Sequence, residues 1–137
     1  MKEAYKQAKY AFDEGEIPIG AVIVCNNKVI VRAHNQSEIL RDFTAHAEMI
    51  AFTAASDYLG GKYLSDCILY VTLEPCLMCA GACYWAQIKK LVVGASDPKR
   101  GFKKVKVNIL HPKTEIVSGI MAKECGKLIT DFFDKIR

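Results

Sequence analysis

Ile68-Leu69-Tyr70-Val71-Thr72-Leu73-Glu74-Pro75-Cys76-Leu77-Met78-Cys79 passes from an unbroken apolar run, through a proline, to a pair of cysteines. The run Ile68–Val71 shows no polar alternation, so it reads as a strand buried on both faces. Pro75 suits a first helical position, where its missing N–H is no loss, and predicts a helix running to about Ala86. Leu91-Val92-Val93-Gly94-Ala95 then reads as another buried strand. Apolar strands alternating with helices imply a sheet covered by helices on both faces.

The flanking sequence extends this pattern. Ala4, Ala8, Ala11 and Phe12 recur at helical spacing, and that helix should stop near Gly15, before Pro18. Ala21-Val22-Ile23-Val24 and Val29-Ile30-Val31 are β-branched runs separated by Asn26-Asn27, a hairpin signal. A loop through residues 35–43 leads to Thr44, read as an N-cap, and to a helix with Ala47, Ile50, Ala51 and Ala54 on one stripe. Gly60-Gly61 should end it. A short strand is expected around Ile116-Val117. Met121, Cys125, Leu128, Ile129, Phe132 and Ile136 then stripe a last helix, despite the ~1 kcal/mol cost of Gly126 in its interior. The expected fold class is α/β: three α/β/α layers around a mixed sheet of about five strands, in a single domain over residues 1–137.

The chain has 137 residues, 51% hydrophobic and 25% charged, the balance of a folded globular protein. No apolar run approaches the ~20 residues needed to span a bilayer, and the first residues lack a signal-peptide pattern. Six cysteines in a chain with an ample core do not demand a disulfide framework. Cys25, Cys67 and Cys125 stand alone in apolar stretches and read as small buried hydrophobes. A reducing, cytoplasmic setting is expected. The net charge of +4 is uneven: residues 1–96 hold 9 basic and 10 acidic side chains, residues 97–137 hold 10 and 5. Lys99, Arg100, Lys103, Lys104 and Lys106 form the densest basic run, which suits a polyanionic partner.

Chemistry concentrates in His46-Ala47-Glu48 and Cys76-Leu77-Met78-Cys79. Each group lies at an expected helix start, where exposed N–H groups and the macrodipole favour thiolate. Side chains at i and i+2 share no helix face, yet at a first turn both can reach a site beyond the helix end. Two facing helix N-termini would thus present one imidazole, two thiolates and one carboxylate. Sulfur plus imidazole selects zinc, and three protein ligands leave a tetrahedral position open for water. Glu48 beside such a centre becomes a proton shuttle for hydrolytic deamination of an amidine-like carbon in a nucleobase. Cys83 lies seven residues beyond Cys76, about 10 Å along a helix axis, so it is expected to pack rather than ligate. His34 and His111 read as structural or exposed. Glu74, just before Pro75, reads as an ordinary acid at a helix start, where negative charge is favoured.

These residues resemble the zinc-dependent cytidine/deoxycytidylate deaminase superfamily, whose signature is H-x-E with P-C-x-x-C. Gly15–Val22, Ala33-His34-Asn35, Thr44–Glu48, Leu69–Ala82, Gly94–Asp97 and Asp131-Phe132-Phe133 together resemble the bacterial tRNA adenosine deaminases, over nearly the whole chain. The resemblance implies the cytidine-deaminase-like fold, a homodimer, and conversion of adenosine to inosine at the wobble position of a tRNA anticodon loop. It implies His46, Cys76 and Cys79 as zinc ligands, one zinc per subunit, and Glu48 as general acid/base. Asn35 would hydrogen-bond the flipped nucleoside, and Asp97 would lie near a flanking nucleotide. Phe133, Lys135 and Arg137 of the last helix would grip RNA, with Lys99, Arg100, Lys103 and Lys104 adding charge. Where that family carries a Gly-Ser-Leu loop, this chain has a shorter stretch, Gly101–Asn108. Tyr84-Trp85-Ala86 resembles the free guanine deaminases of the superfamily, although aromatic residues there read first as core packing.

Three other readings use the same residues: a deaminase of free guanine, cytosine or a nucleoside, a closed structural zinc module, and a dithiol oxidoreductase using Cys76 and Cys79. Substrate comparison discriminates the first, and metal content the other two.

Overall fold

The computed structural model describes residues 1–137. Four helices, α1 (Lys2–Asp13), α2 (Ala47–Leu59), α3 (Leu77–Ala86) and α4 (Ala122–Ile136), accompany five strands. The strands are β1 (Gly20–Cys25), β2 (Lys28–His34), β3 (Cys67–Leu73), β4 (Lys90–Ala95) and β5 (Glu115–Val117). They form one mixed sheet in the order β2-β1-β3-β4-β5. β1 runs antiparallel to both β2 and β3, whereas β3, β4 and β5 are parallel.

The antiparallel half follows from two asparagines. Asn26 and Asn27 both have positive φ, 52° and 62°, as a two-residue primed hairpin turn requires, and asparagine tolerates that region. Alternation along the central strands then separates two packing faces. Ala21, Ile23, Leu69, Val71, Leu91 and Val93 join one core cluster with Ala47, Ala51 and Ala55 of α2 and Ala80, Cys83 and Ala86 of α3. The opposite face lies against α1 and α4. A Cβ at Gly20 would overlap the backbone of Ala4 and Ala8, so glycine lets α1 seat directly on β1. Gly94 plays the same part beneath Cys125 of α4, where an added Cβ would lie 2.9 Å from the sulfur. All six cysteines are free, and Cys25, Cys67, Cys83 and Cys125 are buried. No helix is long and apolar enough to cross a membrane.

Two helix starts differ from the sequence reading. The N-cap of α2 is His46, not Thr44, because the Thr44 amide and hydroxyl both donate to Asp42 Oδ1, at 2.9 and 2.7 Å. That local turn holds Thr44 outside the helix. The N-cap of α3 is Cys76, so Pro75 lies one residue before it instead of at the first helical position. Both caps have extended backbone, and neither side chain caps its own helix. Each is left free to turn toward the other helix.

Candidate active site

The two helix N-termini meet. His46 Nδ1 lies 3.6 Å from Cys76 Sγ and 3.5 Å from Cys79 Sγ, and the three donor atoms all lie within 4.8 Å of one another. A tetrahedral zinc with bonds of ~2.3 Å to sulfur and ~2.05 Å to nitrogen sets an N···S edge of about 3.6 Å. The donors therefore stand at the separations such an ion needs, and they are the soft set that selects it. Cys83 is buried in the core cluster and is no part of this group, as its distance along the helix requires.

The electrostatics agree with the geometry. Without a metal, a hydrogen bond from the Cys79 thiol, assisted by the nearby His46 imidazole, holds the Cys76 thiol down to about 4. Cys79 moves the other way, because it shares its proton with Cys76 and is desolvated. The pair thus carries one proton between two sulfurs. The hydrogen bond to Cys76 raises His46 above the usual imidazole range.

Glu48, in the first turn of α2, is almost fully buried, and desolvation pushes its carboxyl up to about 7. Its Oε1 has no hydrogen-bond partner. Asn35 Oδ1, at the end of β2, is the other buried side-chain oxygen without one. An orphaned buried acceptor costs about 1–3 kcal/mol, so the unpartnered Glu48 oxygen beside His46, Cys76 and Cys79 marks a place where a ligand completes the bonding.

The full chain, residues 1–137, matches the MafB19-like deaminase family. A tRNA-specific adenosine deaminase of Bacillus subtilis (strain 168) is 46% identical over 142 residues, covering 100% of this chain and 88% of the relative. The chain belongs to the tRNA-specific adenosine deaminase family. A solved structure from studies of A-to-I editing by tRNA:A34 deaminases superposes on this deaminase with a TM-score of 0.88. It is 38% identical and covers 93% of this chain and 96% of its own. A guanine deaminase structure from Bacillus subtilis is 42% identical over a shorter stretch, 69% of this chain and 61% of its own, with a TM-score of 0.66.

The remaining expected residues of the deaminase fall in three places. Asp97 follows β4, and its Oδ1 accepts the amides of Lys99 and Arg100, both at 3.1 Å. The Lys99, Arg100, Lys103 and Lys104 side chains are exposed on this loop, and an isolated bridge between Gly101 and Cys76 brings it beside the metal donors. Lys103 Nζ donates to Ser118 Oγ at 2.7 Å, and Lys104 Nζ to the Lys99 carbonyl at 3.5 Å. Phe133, Lys135 and Arg137 end α4 away from that loop. Phe133 is half-buried against Phe132, Lys135 Nζ sits over the Phe12 ring, and Arg137 pairs with Asp134.

Three readings need correction or completion. Trp85 is 75% exposed and Tyr84 is also exposed, so this pair does not pack in the core. It lies on the outward side of α3, with Tyr84 edge-on to Trp85. Glu74 is no surface acid at a helix start: it is buried and accepts the amides of Asp97 and Lys103, at 3.0 and 2.9 Å. Glu16, which lies in the family-like stretch Gly15–Val22 without a role implied there, is completely buried and accepts the amides of Glu38 and Ile39, at 3.0 and 2.7 Å. Only its place between Gly15 and the apolar Ile17-Pro18-Ile19 hinted at burial.

Proposed function

We propose that this chain hydrolyses adenosine to inosine at the wobble position of a tRNA anticodon loop, with one zinc held by His46, Cys76 and Cys79. The observation that carries the reading is the three donors at metal-ligand separations beside the buried, unpartnered Glu48 oxygen. When bound, zinc supplies Lewis acidity that makes water a competent nucleophile near neutral pH. Glu48 accepts the proton of the attacking water at its free Oε1 and delivers it to the departing amino group. A C6–O bond forms as the C6–N bond breaks, and ammonia leaves. Asn35 offers its unpaired Oδ1 to the flipped nucleoside, which must leave the stack before the pocket can hold it.

The same reading gives the exposed lysines and Arg100 of the loop beside Cys76 to the phosphates flanking the target base, and places Asp97 near a neighbouring nucleotide. Phe133, Lys135 and Arg137 serve RNA farther from the pocket. It also includes a single deaminase domain over residues 1–137, a cytoplasmic site of action and a homodimer. Exposed Tyr58 and Leu59 of α2 with Leu77 and Trp85 of α3 supply apolar surface for pairing. Equilibrium sedimentation tests the dimer.

A second reading, a deaminase of free bases, draws support from exposed Trp85 and from the partial likeness to a guanine deaminase. Inosine mapping on a panel of tRNAs, run beside ammonia release from free guanine and cytosine, separates the two. Inosine at position 34 with no release from free bases is expected. Activity on free bases alone would remove the tRNA assignment.

A further inference from the structure

Two buried carboxylates stand outside the chemistry. Glu16 is 0% exposed and Glu74 is 5% exposed, and neither takes part in any ion pair. Burying a carboxylate without a counter-charge is costly unless hydrogen bonds take over the role of water. Here each does so in the same way: one oxygen accepts one backbone amide and the other accepts a second; the Glu38, Ile39 and Asp97 amides belong to loops and that of Lys103 to a single 3-10 turn.

Both loops adjoin the candidate site: one runs directly into His46, and the other is bridged to Cys76 through Gly101. Glu16 ties down the loop between Asn35 and His46, which presents exposed Ile39, Leu40 and Phe43. Glu74 ties down the loop from Asp97 to Lys104, which presents the basic side chains. That second loop is also held by Phe102, buried in the core cluster, and by the Asp97 turn that accepts the Lys99 and Arg100 amides. Phe102 N–H donates to the Pro75 carbonyl at 3.0 Å, and the loop's outer side borders a cavity of about 260 Å³ that reaches Ser118 and Gly119. Gly101 is matched to the anchor, since a Cβ there would overlap the Glu74 carboxylate. Each loop is thus tied to the body of the protein by one buried acid, in addition to its own backbone hydrogen bonds, and neither acid forms an ion pair.

We propose that Glu16 and Glu74 are paired positioning residues, which hold the two loops adjoining His46 and Cys76 in the geometry that receives the nucleic-acid strand. They act through the loops and not on the reacting atoms. The proposal rests on the nucleic-acid reading above. Its signature is therefore a change in strand affinity without a change in the chemical step.

Glu16→Gln and Glu74→Gln test it, because each keeps the shape but turns one acceptor oxygen into an amide that faces a backbone N–H. With a labelled anticodon stem-loop, KM should rise about tenfold in each variant while kcat stays within about twofold. Metal content should not change. Amide exchange should quicken at Glu38 and Ile39 in the first variant and at Asp97 and Lys103 in the second. Unchanged KM would overturn the proposal whether or not exchange quickens, and so would a fall in kcat with KM flat. Should Glu74→Gln lose metal because it adjoins Pro75-Cys76, Glu16→Gln, remote from the ligands, decides by the same criteria. Absence of turnover in the unmodified protein would fell the nucleic-acid reading by itself, and exchange at these four amides would then judge the anchors.

Discussion

Glu48 occupies the first turn of α2, two residues beyond a metal donor, buried and with one oxygen unpaired. Replacing it by glutamine keeps the volume and removes the proton acceptor. Turnover should fall at least about a hundredfold, the lower end for loss of a general acid/base, with zinc still bound at one equivalent. In metal-free protein the same carboxyl predicts a pH signature. Its folded pKa of about 7 lies above the unfolded value of 4.5, so below 4.5 it is protonated in both states and costs nothing. As pH rises to 7 the unfolded chain gives up that proton first, and the folded state loses about 3 kcal/mol relative to Glu48→Gln. Denaturant titrations of both metal-stripped proteins at pH 4.5 and 7.5 check this. At this scale the clustering of His46, Cys76 and Cys79 was legible, because H-x-E and C-x-x-C at helix starts are chemically specific. Glu16 and Glu74 lie in family-like stretches, but their anchoring role was not legible, since the distant amides an acid bonds leave no local pattern.

At the scale of elements, the site exists because two helices begin with residues that do not cap themselves. The α2 and α3 N-termini direct His46, Cys76 and Cys79 to one point and aim both macrodipoles at the sulfurs. The helices, the hairpin and the strands were readable from period, turn residues and apolar runs. The start of α2 slipped because Thr44 is held in a turn by Asp42, and at α3 the N-cap fell one residue past Pro75, on Cys76. Close packing of the outer helices makes a paired prediction. Gly20→Ala should destabilise by about 1–3 kcal/mol, since its Cβ meets the backbone of α1 and cannot be relieved by a rotamer change. Gly126→Ala, whose Cβ would lie 3.7 Å from Ala95 Cβ, should be neutral or stabilise by up to ~1 kcal/mol through helix propensity. Chemical denaturation midpoints measure both. Trp85 shows the limit of pattern reading at this scale: periodicity put an aromatic residue on α3 but not on which side.

Across the whole molecule, the parallel strands β3 and β4 send their C-terminal ends to one edge of the sheet. There Glu74–Cys76 and Ser96–Asp97 lead into the donors and the basic rim, the usual place for ligands in open α/β sheets. The charge asymmetry seen along the chain becomes a local field beside the metal donors. Binding of a tRNA stem-loop should therefore weaken steeply with salt. Lys99→Ala with Arg100→Ala should flatten the log–log slope by about 0.7–0.9 for each phosphate no longer neutralised, as fluorescence anisotropy over a salt series would show. The central claim is narrower than any substrate: three side chains from two helices hold one zinc with a position left open. Zinc-edge X-ray absorption of the loaded protein reads it directly. Two sulfurs at ~2.3 Å with one imidazole and one further light atom at ~2.0 Å are expected. A third sulfur in the shell, or no bound zinc, would contradict it.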